Sequence, residues 1–227
     1  MNTVLKFASA AFVGSMMVSA PVSAAPIVVG PTACSVFSGP TELVASPISC
    51  AQFDSSLGTL ISMTLELQAQ ITGTISLTNN AANPQNVSGT TTSSFSIVPL
   101  SGFSFANPFA NPSFSTGVQN IAGGGGVYAS GALNSGVQSA SETILAGFAP
   151  YQAPGGGLFG ITADTLSGIT ILGGGGQVDS AQTTQGTFSA IVSYVYDDNV
   201  VTTPEPATMA LLGAGMLALG VARRRRS

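Results

Sequence analysis

From residue 61 to 77 the odd positions read Ile61, Met63, Leu65, Leu67, Ala69, Ile71, Gly73, Ile75 and Leu77, while the even positions from Ser62 to Thr78 are all Ser, Thr, Glu or Gln. Only an extended chain sends alternate side chains to opposite faces. An unbroken period of two therefore demands a strand with one buried face and one wet face, the pattern of an antiparallel sheet packed on a single side. Seventeen residues of straight strand would run ~56 Å. That length predicts a bend or bulge near Thr72-Gly73 that keeps the phase, so both halves feed one core.

Two further stretches read as strands, residues 91–98 and 186–196. In the second, Phe188, Ala190, Val192, Tyr194 and Tyr196 share a face, and Ile191 and Val195 opposite them predict a central strand. NNAANPQN, residues 79–86, is a turn. A helix is predicted over residues 139–148, where Ser139 and Glu142 have capping-box spacing before Thr143-Ile144-Leu145. The connections are rich in Gly and Pro, with FANPFANPSF at 105–114, APGGGLFG at 153–160 and tetraglycine runs at 123–126 and 173–176. Without a helix N-terminus or a Lys to complete a phosphate cradle, the glycine runs read as flexible or tightly turning surface loops. The expected fold class is all-β: an antiparallel β-sandwich with Gly-rich loops, occupying residues 25–203.

Charge narrows the function classes. The five basic residues are Lys6, Arg223, Arg224, Arg225 and Arg226, all near the termini, and the chain has no His. Residues 25–203 hold Glu42, Asp54, Glu66, Glu142, Asp164, Asp179, Asp197 and Asp198, a formal charge of −8 against −4 for the whole chain. A surface without cations cannot neutralise phosphates, so nucleic-acid binding is excluded as a partner class. The missing His removes the usual proton carrier and the base of Ser-His-Asp arrangements. Carboxylate chemistry, oxygen-ligated Ca²⁺, or no chemistry remain. Asp197-Asp198-Asn199, with Asp164 or Asp179, is the calcium candidate, but without EF-hand spacing it reads rather as a solvated strand end. No cofactor is expected.

The first 24 residues have the layout of a secretory signal: Lys6, an apolar run from Phe7, then Val22-Ser23-Ala24, with cleavage between Ala24 and Ala25 by signal peptidase. The run is shorter than the ~20 residues of a membrane span, which disfavours an uncleaved helix. Export places Cys34 and Cys50, the two cysteines of the chain, in an oxidising compartment where they are expected to pair; two buried free thiols are the alternative. Asn86-Val87-Ser88 fits an N-glycosylation pattern, and residues 88–96 offer hydroxyls for O-linked sugar, or are ordinary polar strand positions.

At the other end Pro204-Glu205-Pro206 precedes sixteen almost wholly apolar residues, 207–222, and then Arg223, Arg224, Arg225 and Arg226. A helix of that length rises ~24 Å, slightly short of a ~30 Å hydrocarbon core. The arginines would stop in the cytoplasm and leave the domain outside. These three features in this order closely resemble the PEP-CTERM sorting signal of Gram-negative envelope proteins. The resemblance implies a segment, residues 204–227, that anchors transiently in the inner membrane and is cut near Pro-Glu-Pro by an exosortase, on proteins associated with exopolysaccharide and biofilm. A second stretch, FDSSLGTL from Phe53 through the turn at NPQNVSGT, with VSYVYDD at 192–198, resembles the choice-of-anchor E type domain. It implies a β-sandwich and brings no catalytic residues.

The sequence thus reads as an exported, non-enzymatic cell-surface or extracellular-matrix protein. The alternative is a carbohydrate-binding module for exopolysaccharide, in which Tyr128, Tyr151, Tyr194 and Tyr196 would stack on sugar rings because Trp is absent. An acid-dependent hydrolase would require two of the eight carboxylates to converge in one cleft.

Overall fold

In a computed structural model that describes residues 25–42, 44–198, 213–217 and 224, the alternating stretch is a single strand of twenty-one residues. The chain splits into two units, Ala25–Asn199 and a second made of the two termini. In the first unit the strands are β1 (Ile27–Ala33), β2 (Phe37–Pro40), β3 (Ser46–Ala51), β4 (Phe53–Asp54), β5 (Thr59–Asn79), β6 (Gln85–Ile97) and β7 (Ser113–Ser115). They continue with β8 (Gln119–Ile121), β9 (Gly126–Ala129), β10 (Leu133–Asn134), β11 (Gln138–Ile144), β12 (Gln152–Ala153), β13 (Leu158–Gly173) and β14 (Val178–Asp197).

Two antiparallel sheets face each other. In the larger one β5 and β14 are the central pair, with β1 and β2 end to end along the outer edge of β14 and β11, β10 and β9 along the outer edge of β5. In the smaller one β13 and β6 are central, β3 flanks the first part of β13, and β7 and β8 flank β6. A short parallel pair, β4 and β12, closes one end. The core lies between the sheets, where Met63, Leu65, Leu67, Ile71, Ile75 and Leu77 of β5 meet Phe95, Val87, Ile161 and Ile48 of the other sheet. The expected central strand is present: β14 is paired on both sides, and its Phe188, Ala190, Val192, Tyr194 and Tyr196 are all buried.

The interruption expected near Thr72-Gly73 is elsewhere. The β5–β14 ladder runs without a shift from Val178↔Asn79 to Val195↔Ser62, and the bulge falls between Val195 and Tyr196, where Ile61 is skipped. The phase flips there: Leu60 is buried and Ile61 is 40% exposed. At Gly73 the missing side chain serves a close approach instead, since a Cβ there would stand 1.9 Å from the Thr183 carbonyl oxygen. Strand length is no obstacle because β14 supplies an equally long partner.

The helix expected over 139–148 is a strand, β11, which pairs with β5 from Gln138↔Ala69 to Ile144↔Met63. Thr143 and Ile144 are β-branched, and an open edge of β5 offers backbone partners that an isolated helix would lack. The capping carboxylate is used differently: both Glu142 oxygens accept from the Ser104 backbone N–H, and Oε1 also accepts from the Ser104 hydroxyl. Only a short 3₁₀ turn, Ala149–Tyr151, follows.

The tetraglycine runs form tight turns at one end of the sandwich. Gly124 and Gly125, both at positive φ, donate to the carbonyls of Ala81 and Asn79, and the 3₁₀ turn Gly174–Gly176 carries β13 into β14. Between them Asn79 is fully buried. Its Nδ2 reaches the carbonyls of Asn83, Ile121 and Ala122, and its Oδ1 accepts from the Ala81 N–H.

Candidate functional site

Cys34, just after β1, and Cys50 in β3 form a disulfide that ties the larger sheet to the smaller one across a separation of 16 residues. Both are buried. Bridges of this loop length contribute ~3 kcal/mol in the chain-entropy account. A second inter-sheet tie lies beside it: the Tyr194 hydroxyl of β14 donates to the Ala51 carbonyl of β3 at 2.6 Å. Burial pushes the Tyr194 phenol far above its ordinary pKa.

The tyrosines are therefore structural. Tyr151, Tyr194 and Tyr196 are all buried, packed on Phe159, Phe103 and Phe53. Tyr151 further donates to the Ser101 carbonyl at 2.7 Å. Only Tyr128 keeps partial exposure. Aromatic stacking on a sugar ring, the basis of the carbohydrate-binding expectation, has lost three of its four residues to the core.

The carboxylates are spread and mostly engaged by their own neighbourhoods. Asp54 Oδ1 accepts from the Ser56 N–H and hydroxyl and from the Gly155 N–H. The Ser56 hydroxyl first, then these two N–H groups, hold its pKa below the usual value. Glu66 accepts from Gln68, Asp164 from the Ala45 N–H and Asp179 from Asn80. Asp179 is the second residue of β14 and Asp197 its last, about eighteen residues apart along one extended strand, so these two cannot share an ion. Among the described residues no three His, Cys, Asp or Glu side chains converge on a metal-sized site.

Two depressions lie among the described residues near the 3₁₀ turn Ala149–Tyr151. One of about 60 Å³ is lined by Ile97, Pro99, Leu100, Phe103, Phe105 and Asn107, well below the ~300 Å³ and upward of small-molecule sites. The other, bordered by Gly102, Ile144 and Leu145, is about 530 Å³ but is a broad depression open to solvent rather than an enclosed site.

Of the expected terminal residues, Ala25 is described and exposed two residues before β1, and Arg224 and residues 213–217 are helical and exposed. Ala24, Pro204, Glu205, Pro206, Arg223, Arg225 and Arg226 lie outside the described residues, as does the leader. Among the described residues no helix is long and apolar enough to cross a membrane. Sequence reasoning overlooked Asn79, whose signal was the Asn-Asn pair closing a long strand before a Pro-containing turn.

Residues 202–226 match the family profile of the PEP-CTERM protein-sorting motif. No curated protein sequence matches the chain. Among solved structures, the D431N mutant VP2 protein of infectious bursal disease virus is 12% identical over 96% of this chain and 52% of its own, with a TM-score of 0.15. The Bacillus thuringiensis toxin parasporin-2 is 17% identical over 72% and 68%, with a TM-score of 0.11. The chain thus spans about half the length of the viral protein, and neither likeness bears on the fold at these scores.

Proposed function

Because residues 202–226 carry the PEP-CTERM protein-sorting motif, we propose that the β-sandwich is the cargo of an exosortase: a non-enzymatic surface or matrix protein of a Gram-negative envelope, associated with exopolysaccharide. The motif implies export and sorting at a membrane. The leader delivers the chain to signal peptidase, the apolar residues 207–222 hold it at the inner membrane, and Arg223–Arg226 stop transfer. Cleavage near Pro204-Glu205-Pro206 then frees a domain without a cationic side chain. The sorting motif is the observation that carries this reading; the disulfide between Cys34 and Cys50 agrees with an oxidising destination. The resemblance of residues 53–90 to the choice-of-anchor E type domain belongs to the same reading.

Intact-mass spectrometry of the protein recovered from its own cells tests it. The expected chain begins at Ala25 and ends near residue 204. A mass that retains all four C-terminal arginines overturns processing in favour of a permanent anchor.

A further inference from the structure

One flank of the sandwich is stitched by chain crossings along its length and the other only at its two ends. On the β5–β6 side, β8 leads into β9 and β7 lies by β10, carrying the chain between sheets. On the β13–β14 side, β3 stops at Ala163 and β2 at Gln185. Among the described residues no strand pairs with the outer edge of β13 beyond Ala163 or of β14 before Thr184, where the Thr41 N–H meets the Thr184 carbonyl. Among the described residues, then, no strand is paired with the outer edge of β14 over Ser180–Gln182, and β13 runs alongside in the other sheet with no strand on its outer edge from Ser167 to Ile171. The tetraglycine turn bounds the gap at one end. At the other, the connection from β2 to β3 crosses, its Glu42 N–H bonded to Thr165 Oγ1.

Burial marks the same opening. Along the inward face of β14, Phe188 to Tyr196 are fully buried, but Thr184 and Gln182 are half-buried and Ser180 is exposed. Along β13, Phe159, Ile161 and Ala163 are buried while Ser167, Ile169 and Ile171 are only half-buried. Thr91 donates to Gln182 at 2.6 Å and Ser93 is bonded to Ser167, so the floor is polar and satisfied. The Thr184 hydroxyl is buried without a partner.

The outer backbone groups are those of an unfilled ladder. Odd residues of β14 face β5, as the approach of the Thr183 carbonyl to Gly73 shows, so the N–H and C=O of Ser180 and Gln182 point out of the sheet. Unpaired edges of this kind accept an added strand. The rim sets its charge: Glu42 and Asp164 stand at one mouth and Asp179 at the other, in a domain with no cation. Residues 25–203 of a second copy would bring −8 against −8, and the opening has no aromatic platform for a sugar.

We propose that this opening takes up one extended, basic peptide segment of another protein, which adds to the free edge of β14 as a strand. Its alternate side chains turn in toward Ile169 and Ile171, and a Lys or Arg at each end meets the rim carboxylates. About six residues of strand span the distance from Asp179 to Thr184.

The test uses the full chain in mild detergent and a fluorescent heptapeptide, Lys-Thr-Val-Thr-Val-Thr-Lys, with an acidic twin carrying Glu at both ends. Saturable binding of the basic peptide is expected, weakened by salt, with little binding of the twin. Ser180→Pro removes only an outward N–H and is expected to weaken binding tenfold or more. Independently of whether that variant folds, hydrogen exchange in the native protein is expected to slow at 178–184 when the peptide is added. The proposal falls if the peptide does not bind, if the twin binds equally, if a folded Ser180→Pro binds as well, if exchange at 178–184 is unchanged, or if only a neutral oligosaccharide slows it.

Discussion

Tyr194 and Asn79 each solve a local problem that burial creates. Removing the Tyr194 hydroxyl leaves the Ala51 carbonyl unpaired between the sheets, so Tyr194→Phe is expected to lower stability by ~1–2 kcal/mol in urea denaturation. The pH dependence has a definite sign. An unfolded tyrosine loses its proton near pH ~10, while burial holds the folded Tyr194 protonated well beyond that. The stabilisation is complete below pH ~10 and is lost as pH climbs through it, because the unfolded state then binds fewer protons. The melting temperature should fall steeply above pH ~10, and less steeply in Tyr194→Phe. Asn79 concentrates four hydrogen bonds on one fully buried amide. Asn79→Leu strands three carbonyls and an N–H together, and a loss of ~3 kcal/mol is expected, read from the urea midpoint.

At the scale of elements, the β5–β14 ladder is the backbone of the fold, and Gly73 is its least tolerant rung. A methyl group at Gly73 would collide with the Thr183 carbonyl, so Gly73→Ala is expected to cost ~2–4 kcal/mol by displacing one strand from the other. The double variant Cys34→Ser/Cys50→Ser removes the covalent tie between the sheets and is expected to lose ~3 kcal/mol; a thermal melt compared with the native protein checks it. Period-two alternation made β5 and β14 legible, because burial of one face leaves a compositional trace at every second residue. It could not reveal the bulge at Ile61, since Leu60 and Ile61 are both apolar and either could have faced inward. Residues 138–144 failed for another reason. Ser139 and Glu142 satisfy a local capping pattern, but the edge of β5 that draws them into a strand is about seventy residues away in sequence. The open flank was equally invisible, as it depends on where β2 and β3 stop.

For the whole molecule, the separation of charges has a direct consequence. Every cationic side chain lies within the first six residues or the last five, so the processing proposed at both ends would remove all of them. The precursor has a sequence isoelectric point of about 4.4; the processed domain is expected to focus below it, which isoelectric focusing of the two forms would show. An unchanged position would mean that the arginines remain. A protein of charge −8 with no cation is kept from self-association by repulsion at low salt, and that repulsion is screened beyond ~8 Å at physiological ionic strength.

The pairing of Ile27 with Tyr196 brings the start of β1 beside the end of β14, while the glycine turns sit at the far end of the same strand. Tension between a tether beyond Asp198 and anything gripping the turn after Asn79 would pull β14 and β5 in opposite directions along their length. The twenty rungs between them would then bear the load in shear, all together, whereas a hairpin pulled open from one end yields rung by rung. Held in this way, the domain would resist drag through hydrogen bonds that no thermal melt tests in that direction.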